Sequence, residues 1–359
     1  MSPRSLYVAT TNHGFGHTTR AVSVAATVRQ LCPDIPVILA TTAPPWLLSA
    51  YCSGAVHRAV ALDVGVVQTD SFTMDKAATL QTLRQIQRQA SDLIQQERDF
   101  LRQQRVGLVL ADIPPLATAI ADAASVPCWM MSNFGWDFIY RPWGGEFVAI
   151  ADWIAAQFER CDRLFRLPFH EPMTAFPTIT DVGLTGGTPR YDTHHLRSHL
   201  GIATPPERTA LLTFGGLGLH KIPYSAVLTF PKWQFITFDQ SAPRQLPNLT
   251  VYTDRAYRPV DLMPLCGRVV SKPGYSTFAE ACRLGVPVVT LPRQDFAEAE
   301  LLLSGIQNYA QHQILDPAQF FAGDWSFLDE SPNPPRQSAS LNPDGNSAIA
   351  REIVNLLKH

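Results

Sequence analysis

Arg268-Val269-Val270-Ser271-Lys272-Pro273-Gly274-Tyr275-Ser276-Thr277-Phe278-Ala279-Glu280 reads as a strand turning into a helix. The apolar run is the strand. Pro273 and Gly274 make the turn, and Ser276 and Thr277 stand where the helix opens. A second apolar run, Val286-Pro287-Val288-Val289-Thr290-Leu291, follows the helix. Free N–H groups at a helix N-terminus, two hydroxyls and Lys272 make a place for phosphate. Glu280, three residues past Thr277 on the same helix face, would take a pair of hydroxyls. Phosphate and diol together point to a nucleotide. The competing reading is a Ser/Thr N-cap with Glu280 closing a capping box.

The same alternation extends in both directions. Leu6 to Thr10, Pro36 to Ala40, Gly107 to Ala111 and Pro127 to Met131 read as strands, separated by helical segments at 18–31, 76–105 and 115–124. Thr209 to Phe214, Gln234 to Phe238 and Leu249 to Tyr252 restart the pattern in the second half. Continuous apolar strands between helices predict parallel sheets covered on both faces. The fold class is therefore α/β, with two Rossmann-like doubly wound domains in tandem, facing across a cleft. Leu167 to Arg190, rich in Pro, Gly and Thr, reads as the linker. The expected division is 1–175, 176–343 and a C-terminal helix at 344–359 that packs back on the first domain. Pro317 to Asp344 reads as an irregular surface loop.

A chain of 359 residues suits two ordinary domains, and 46% apolar content with a net charge of -2 is that of a globular protein. No basic block marks a nucleic-acid partner. Neither a signal-peptide pattern nor an apolar run of membrane-spanning length is present. The six cysteines are scattered without a CxxC pair, which argues against a zinc site and fits a reducing cytoplasm.

Directly after the first strand stands His13-Gly14-Phe15-Gly16-His17-Thr18-Thr19-Arg20. Two glycines turn the chain into a helix, and His17 stands at its start, where the helix N-terminus disfavours a cation. A neutral imidazole there could take a proton from a hydroxyl. His13, on the strand side of the turn, is the weaker candidate, and both histidines could instead bond nearby backbone. A dinucleotide fingerprint is incomplete here: Thr19 occupies the third glycine position, and the second strand ends Ala40-Thr41-Thr42 without an acid.

Asp112 closes an apolar strand and would point into the same crevice, holding the imidazole in one tautomer. Alternatively it caps the helix after Pro114-Pro115. Gly215 and Gly216, in Phe214-Gly215-Gly216-Leu217-Gly218, would let backbone N–H groups approach an oxygen-rich ligand, or form an ordinary turn. Gln294 and Asp295, past the last strong strand, could hold sugar hydroxyls, whereas Arg293 reads as solvated. Asn133 to Tyr140 is aromatic enough to line an acceptor with Asn133 and Trp136, or to pack in a core.

Together these residues resemble the GT-B glycosyltransferases, along essentially the whole chain. His17 matches their catalytic base, and Asp112 falls where the plant enzymes have the Asp that orients it. Ser271 to Glu280 is similar to the donor motif of those enzymes and of the peptidoglycan N-acetylglucosaminyltransferase. The resemblance implies that Lys272, Ser276 and Thr277, with the Gly274 turn, hold a diphosphate. It gives Glu280 the ribose, and the backbone of Tyr257-Arg258-Pro259 the base. The family usually has His or Arg where Lys272 stands. The plant motif ends in Asp-Gln or Glu-Gln, and here the region reads Gln294-Asp295-Phe296-Ala297-Glu298.

Leu62 to Asp70, Asn133 to Tyr140 and Arg166-Leu167-Pro168 look like the glycosyltransferase-like half of plant L-arabinokinases. This adds Gln68 and Asp70 to the acceptor-side candidates, and no kinase activity is implied. The resemblance implies inverting, metal-independent transfer of a sugar from a UDP-sugar co-substrate to a hydroxyl, with no cofactor. The acceptor (small molecule, glycan or lipid) is left open. Two other functions fit the same residues: a UDP-sugar epimerase or hydrolase, and a binding module without catalysis.

Overall fold

The computed structural model describes residues 3–68, 73–215 and 222–358. The chain divides into two units. Unit 1 comprises Met1–Gln68, Met74–Gly186 and Leu341–His359, and unit 2 comprises Thr69–Thr73 and Gly187–Ser340.

Unit 1 is built on strands β1 (Ser5–Thr10), β2 (Val37–Ala40), β3 (Val56–Arg58), β4 (Val106–Asp112), β5 (Cys128–Ser132), β6 (Arg163–Arg166) and β7 (Ile179–Asp181). They form one parallel sheet in the order β3-β2-β1-β4-β5-β6-β7. Its helices are α1 (Gly16–Leu31), α2 (Pro45–Tyr51), α3 (Lys76–Gln103), α4 (Leu116–Ala124), α5 (Trp136–Tyr140) and α6 (Glu146–Phe158). β1 and β4 are buried along their whole length, as central strands covered on both faces must be. α3 is a 28-residue amphipathic helix that Asp75 caps by accepting from the Ala78 N–H at 2.8 Å.

Unit 2 has strands β8 (Thr209–Thr213), β9 (Gln234–Thr237), β10 (Leu249–Val251), β11 (Arg268–Ser271), β12 (Val288–Thr290) and β13 (His312–Ile314), parallel in the order β10-β9-β8-β11-β12-β13. Its helices are α7 (Thr193–His199), α8 (Pro259–Leu262), α9 (Tyr275–Leu284), α10 (Glu298–Tyr309) and α11 (Pro317–Phe321). Helix α12 (Gly345–Lys358) returns to unit 1 and packs on α1 and β4. That cover explains why so much of α1 is buried, from His17 to Ala25 and again at Val28.

The sequence-based division needs three corrections. The stretch read as a linker carries β7, which pairs with β6, so unit 1 runs to Gly186 rather than to 175. Unit 1 regains the chain at Leu341 rather than at 344. Residues 317–344 are not simply a surface loop. Phe320, Trp325, Phe327 and Leu328 are buried in the unit 2 core with Phe235 and Val270. Among the described residues no helix is long and apolar enough to cross a membrane.

Candidate active site

In each sheet the strand order reverses between two central strands, β1 and β4 in unit 1, β8 and β11 in unit 2. Ligands of open α/β sheets bind beyond the strand ends at such a point. The sequence-predicted residues fall at both.

In unit 1, Thr10 at the end of β1 lies in register with Asp112 at the end of β4. His17 is in the first turn of α1, which follows β1, and is 6% exposed. Its Nδ1 lies 2.8 Å from Asp112 Oδ1. A carboxylate at that distance requires a proton on Nδ1, and in the neutral ring that tautomer carries its lone pair on Nε2. Asp112 therefore orients the ring instead of capping α4, whose N-cap is Pro115.

A third side chain completes this cluster. Arg20, one turn beyond His17 and fully buried, donates to both carboxylate oxygens, Nε to Oδ2 at 2.5 Å and Nη2 to Oδ1 at 2.7 Å. Its Nη1 donates to Asn133 Oδ1 at 2.7 Å, and its Nη2 to Ser132 Oγ at 3.0 Å. The same Nη2 is 3.1 Å from His17 Nδ1, because both donors converge on Oδ1. Burial pushes the Asp112 carboxyl upward, but Arg20 and His17 outweigh it and hold it below the usual carboxylate range.

In unit 2, Thr213 of β8 lies in register with Ser271 of β11, so the loops that follow leave one sheet edge side by side. Gly215 has φ +79, the left-handed region where a side chain is strained. A Cβ added there would lie 3.3 Å from Lys272 Cε, so the glycine loop and Lys272 are neighbours. Gly274 is the N-cap of α9, with no side-chain cap bond. Ser276 and Thr277 therefore belong to the first turn, not to the cap position. Glu280 closes no capping box either. Its Oε1 accepts from the Gly187 N–H at 2.7 Å, and burial pushes its carboxyl up to about 7.

No protein-family model matches the chain. L-arabinokinase of Arabidopsis thaliana is 28% identical over 330 residues, 88% of this chain. The chain spans about a third of that protein, 31% of its length. Among solved structures, a UDP-glucosyltransferase from Polygonum tinctorium in complex with 3,4-dichloroaniline superposes with a TM-score of 0.63 at 14% identity, covering 100% of both chains. A UDP-glucose:anthocyanidin 3-O-glucosyltransferase in complex with UDP gives 0.61 at 11%, again over 100% of both. The kitacinnamycin glycosyltransferase gives 0.60 at 14%, over 99% of both. The fold is GT-B.

Within the GT-B frame the other sequence candidates take other places. Trp136 is 1% exposed, its Nε1–H donates to Thr11 Oγ1 at 3.1 Å, and its ring stacks on Tyr140. Asn133 is fully buried on Arg20. The aromatic run is core, and neither residue lines an acceptor surface. His13 Nδ1 lies 3.3 Å from both the N and the O of Val66, tying the turn to the 61–67 loop. Gln68 bridges to Met74. Asp70 and Gly216 lie outside the described residues.

Arg258 donates to Asp261 through its backbone N–H and its Nε, and to the Thr188 carbonyl through Nη2. It also accepts the Asp261 N–H, so it braces α8 from several sides. Tyr257 packs edge-on against Tyr252 and Tyr191. Gln294 and Asp295 are exposed in the loop after β12. Arg293 is buried rather than solvated, with its guanidinium 4.4 Å over the Phe296 ring. Among the described residues no three His, Cys, Asp or Glu side chains gather as they would around a metal ion.

Two residues escaped the sequence reading. Arg20 stands three positions after His17, a spacing that shares a helix face, but nothing in that spacing directs it to a carboxylate on another strand. Asp63 is 6% exposed, accepting from Thr11 Oγ1 and, at 3.0 Å, from the Asn12 N–H. Burial raises its carboxyl to about 6. Its partners lie about fifty residues away in sequence, so no local signal announced it.

Proposed function

We propose that the protein is an inverting glycosyltransferase that uses a UDP-sugar donor. The observation that carries this reading is the buried His17–Asp112 pair at the switch point of unit 1, with Nδ1 held on the carboxylate at 2.8 Å. In the proposed reaction the acceptor hydroxyl oxygen attacks the anomeric carbon of the donor sugar. The bond from that carbon to the diphosphate oxygen breaks, and its electron pair leaves with the diphosphate. The hydroxyl proton passes to His17 Nε2, and Asp112 stabilises the imidazolium.

The donor's nucleotide half is assigned to the β8–β11 edge of unit 2. Lys272 and the N-terminal turn of α9 would meet the charge that develops on the diphosphate, in place of a divalent cation. Glu280 is assigned the ribose hydroxyls. UDP itself enters from the related fold: the anthocyanidin 3-O-glucosyltransferase was solved with UDP.

A thermal-shift series with UDP and UDP-sugars, followed by transfer assays with and without EDTA, tests the reading. UDP should raise the melting temperature, EDTA should leave turnover unchanged, and His17→Ala should abolish turnover while keeping the UDP shift. Wild-type turnover retained in His17→Ala would remove the base assignment. Consumption of UDP-sugar without any acceptor would move the protein to the hydrolase or epimerase class.

A further inference from the structure

Unit 1 holds a cavity of about 630 Å³ between the 61–67 loop and one face of α3. Such a volume suits a small molecule of one or two rings. It begins at the exit of β1: Asn12 lines it, and the next residue, His13, has its ring 6.3 Å from the ring of His17. Asp63 lines it on the same side, held by the Asn12 N–H.

The opposite wall mixes polar and apolar side chains of α3, with Ile86 and Leu93 set among a row of polar ones, and Val64, Val66 and Val67 face them from the loop. Gln85, Gln89, Asp92 and Gln96 follow one another at helical spacing along one stripe of α3, and all four line the cavity. A carboxamide donates and accepts at once, as a sugar hydroxyl does, and a carboxylate accepts from hydroxyls. Among the described residues that line the cavity there is no Lys, Arg or His and no aromatic ring. With Asp63 and Asp92 present, a phosphate or carboxylate ligand would meet only like charge. A flat phenolic ligand would find no ring to stack on, because Phe134, Trp136 and Tyr140 are core.

We propose that this cavity takes the acceptor, and that the acceptor is a neutral polyhydroxylated molecule, a sugar or polyol of one or two rings. The proposal rests on the glycosyltransferase reading above and narrows it. The acceptor hydroxyl groups bond the carboxamide row of α3, and one hydroxyl is presented at the β1 exit.

Saturation-transfer NMR on the full chain tests it with glucose, sucrose and myo-inositol against glucuronate, glucose 6-phosphate and quercetin. Neutral sugars or the polyol should give signals that quercetin does not displace, and the anions should bind at least about tenfold more weakly. Gln85→Leu with Gln89→Leu, at two exposed positions, should weaken the neutral ligand by about tenfold or more and leave the UDP thermal shift unchanged. Preferential binding of quercetin or of an anion overturns the inference. So does neutral-ligand binding that the double variant does not weaken. A UDP shift with no sugar or polyol binding overturns this inference alone. Sugar binding that the double variant abolishes, with no UDP shift, overturns the transferase reading and leaves the sugar site.

Discussion

Replacing Glu280 by glutamine should remove a pH dependence that the buried carboxyl imposes on unit 2. Glu280 is 4% exposed, and burial is the dominant influence on it. The Gly187 N–H and the charges of Arg258 and Arg283 oppose that influence, and Asp261 adds to it. The outcome is a carboxyl at about 7, against an ordinary 4.5. A group whose folded value lies above its unfolded one holds its proton longer in the folded state. Stability is then greatest below the unfolded value and falls as the pH rises through the window from 4.5 to about 7. Above the window the loss is complete, at about 3 kcal/mol.

Glutamine keeps an oxygen for the Gly187 N–H and does not titrate. Glu280→Gln should therefore be more stable than wild type by up to about 3 kcal/mol at pH 8, with the difference fading towards pH 4.5. Urea unfolding at several pH values, following the unit 2 transition, measures this. Parallel pH profiles for the two proteins, or a variant less stable at pH 8, would refute the reasoning. The same substitution should weaken UDP binding, because a carboxylate accepts two hydroxyl bonds where an amide oxygen and NH₂ do not. A residue that destabilises its own domain at neutral pH while improving ligand affinity is the expected pattern of a binding group.

Two further outcomes follow from unit 1. Arg20→Met should cost about 3–5 kcal/mol, since it leaves the Asp112 charge buried with His17 alone, while Arg20→Met with Asp112→Asn should recover part of that loss; urea unfolding of both variants decides it. Gly183→Ala should destabilise unit 1, because the added Cβ would lie 2.4 Å from the Asn342 carbonyl oxygen; a melting temperature equal to wild type would contradict it.

The central strands were legible because burial on both faces leaves continuous apolar runs, as at Leu6 to Ala9 and Val269-Val270. β3, β6, β7 and β13 carry His57, Arg163, Arg166, Thr180, Asp181 and His312, and such short, polar pieces take their strand character from pairing rather than composition. His17 and Asp112 could be named because each sits at a punctuated strand exit. That Arg20 clamps the same carboxylate could not, since it lies inside α1 with no such exit to mark it. Ser276 looked like an N-cap because its residue type is right for one, yet the cap is Gly274, two residues earlier, and α9 starts at Tyr275. The buried aromatic cluster around Trp325 was hidden by the Pro, Ser and Asn that surround it in sequence.

Helix α12 has a consequence for the order in which the protein is made. Asn346 fixes the end of unit 1 by donating from Nδ2 to the Gly186 carbonyl at 2.8 Å and accepting the Gly186 N–H at 3.2 Å, across 160 residues. When Gly186 leaves the ribosome, all seven strands of the first sheet are out, but the helix that covers α1 is not yet synthesised. Unit 1 must then wait with an apolar flank bare while the whole of unit 2 is translated, so the second domain can mature before the first. During that interval the nascent chain offers chaperones a binding surface that the finished protein no longer shows.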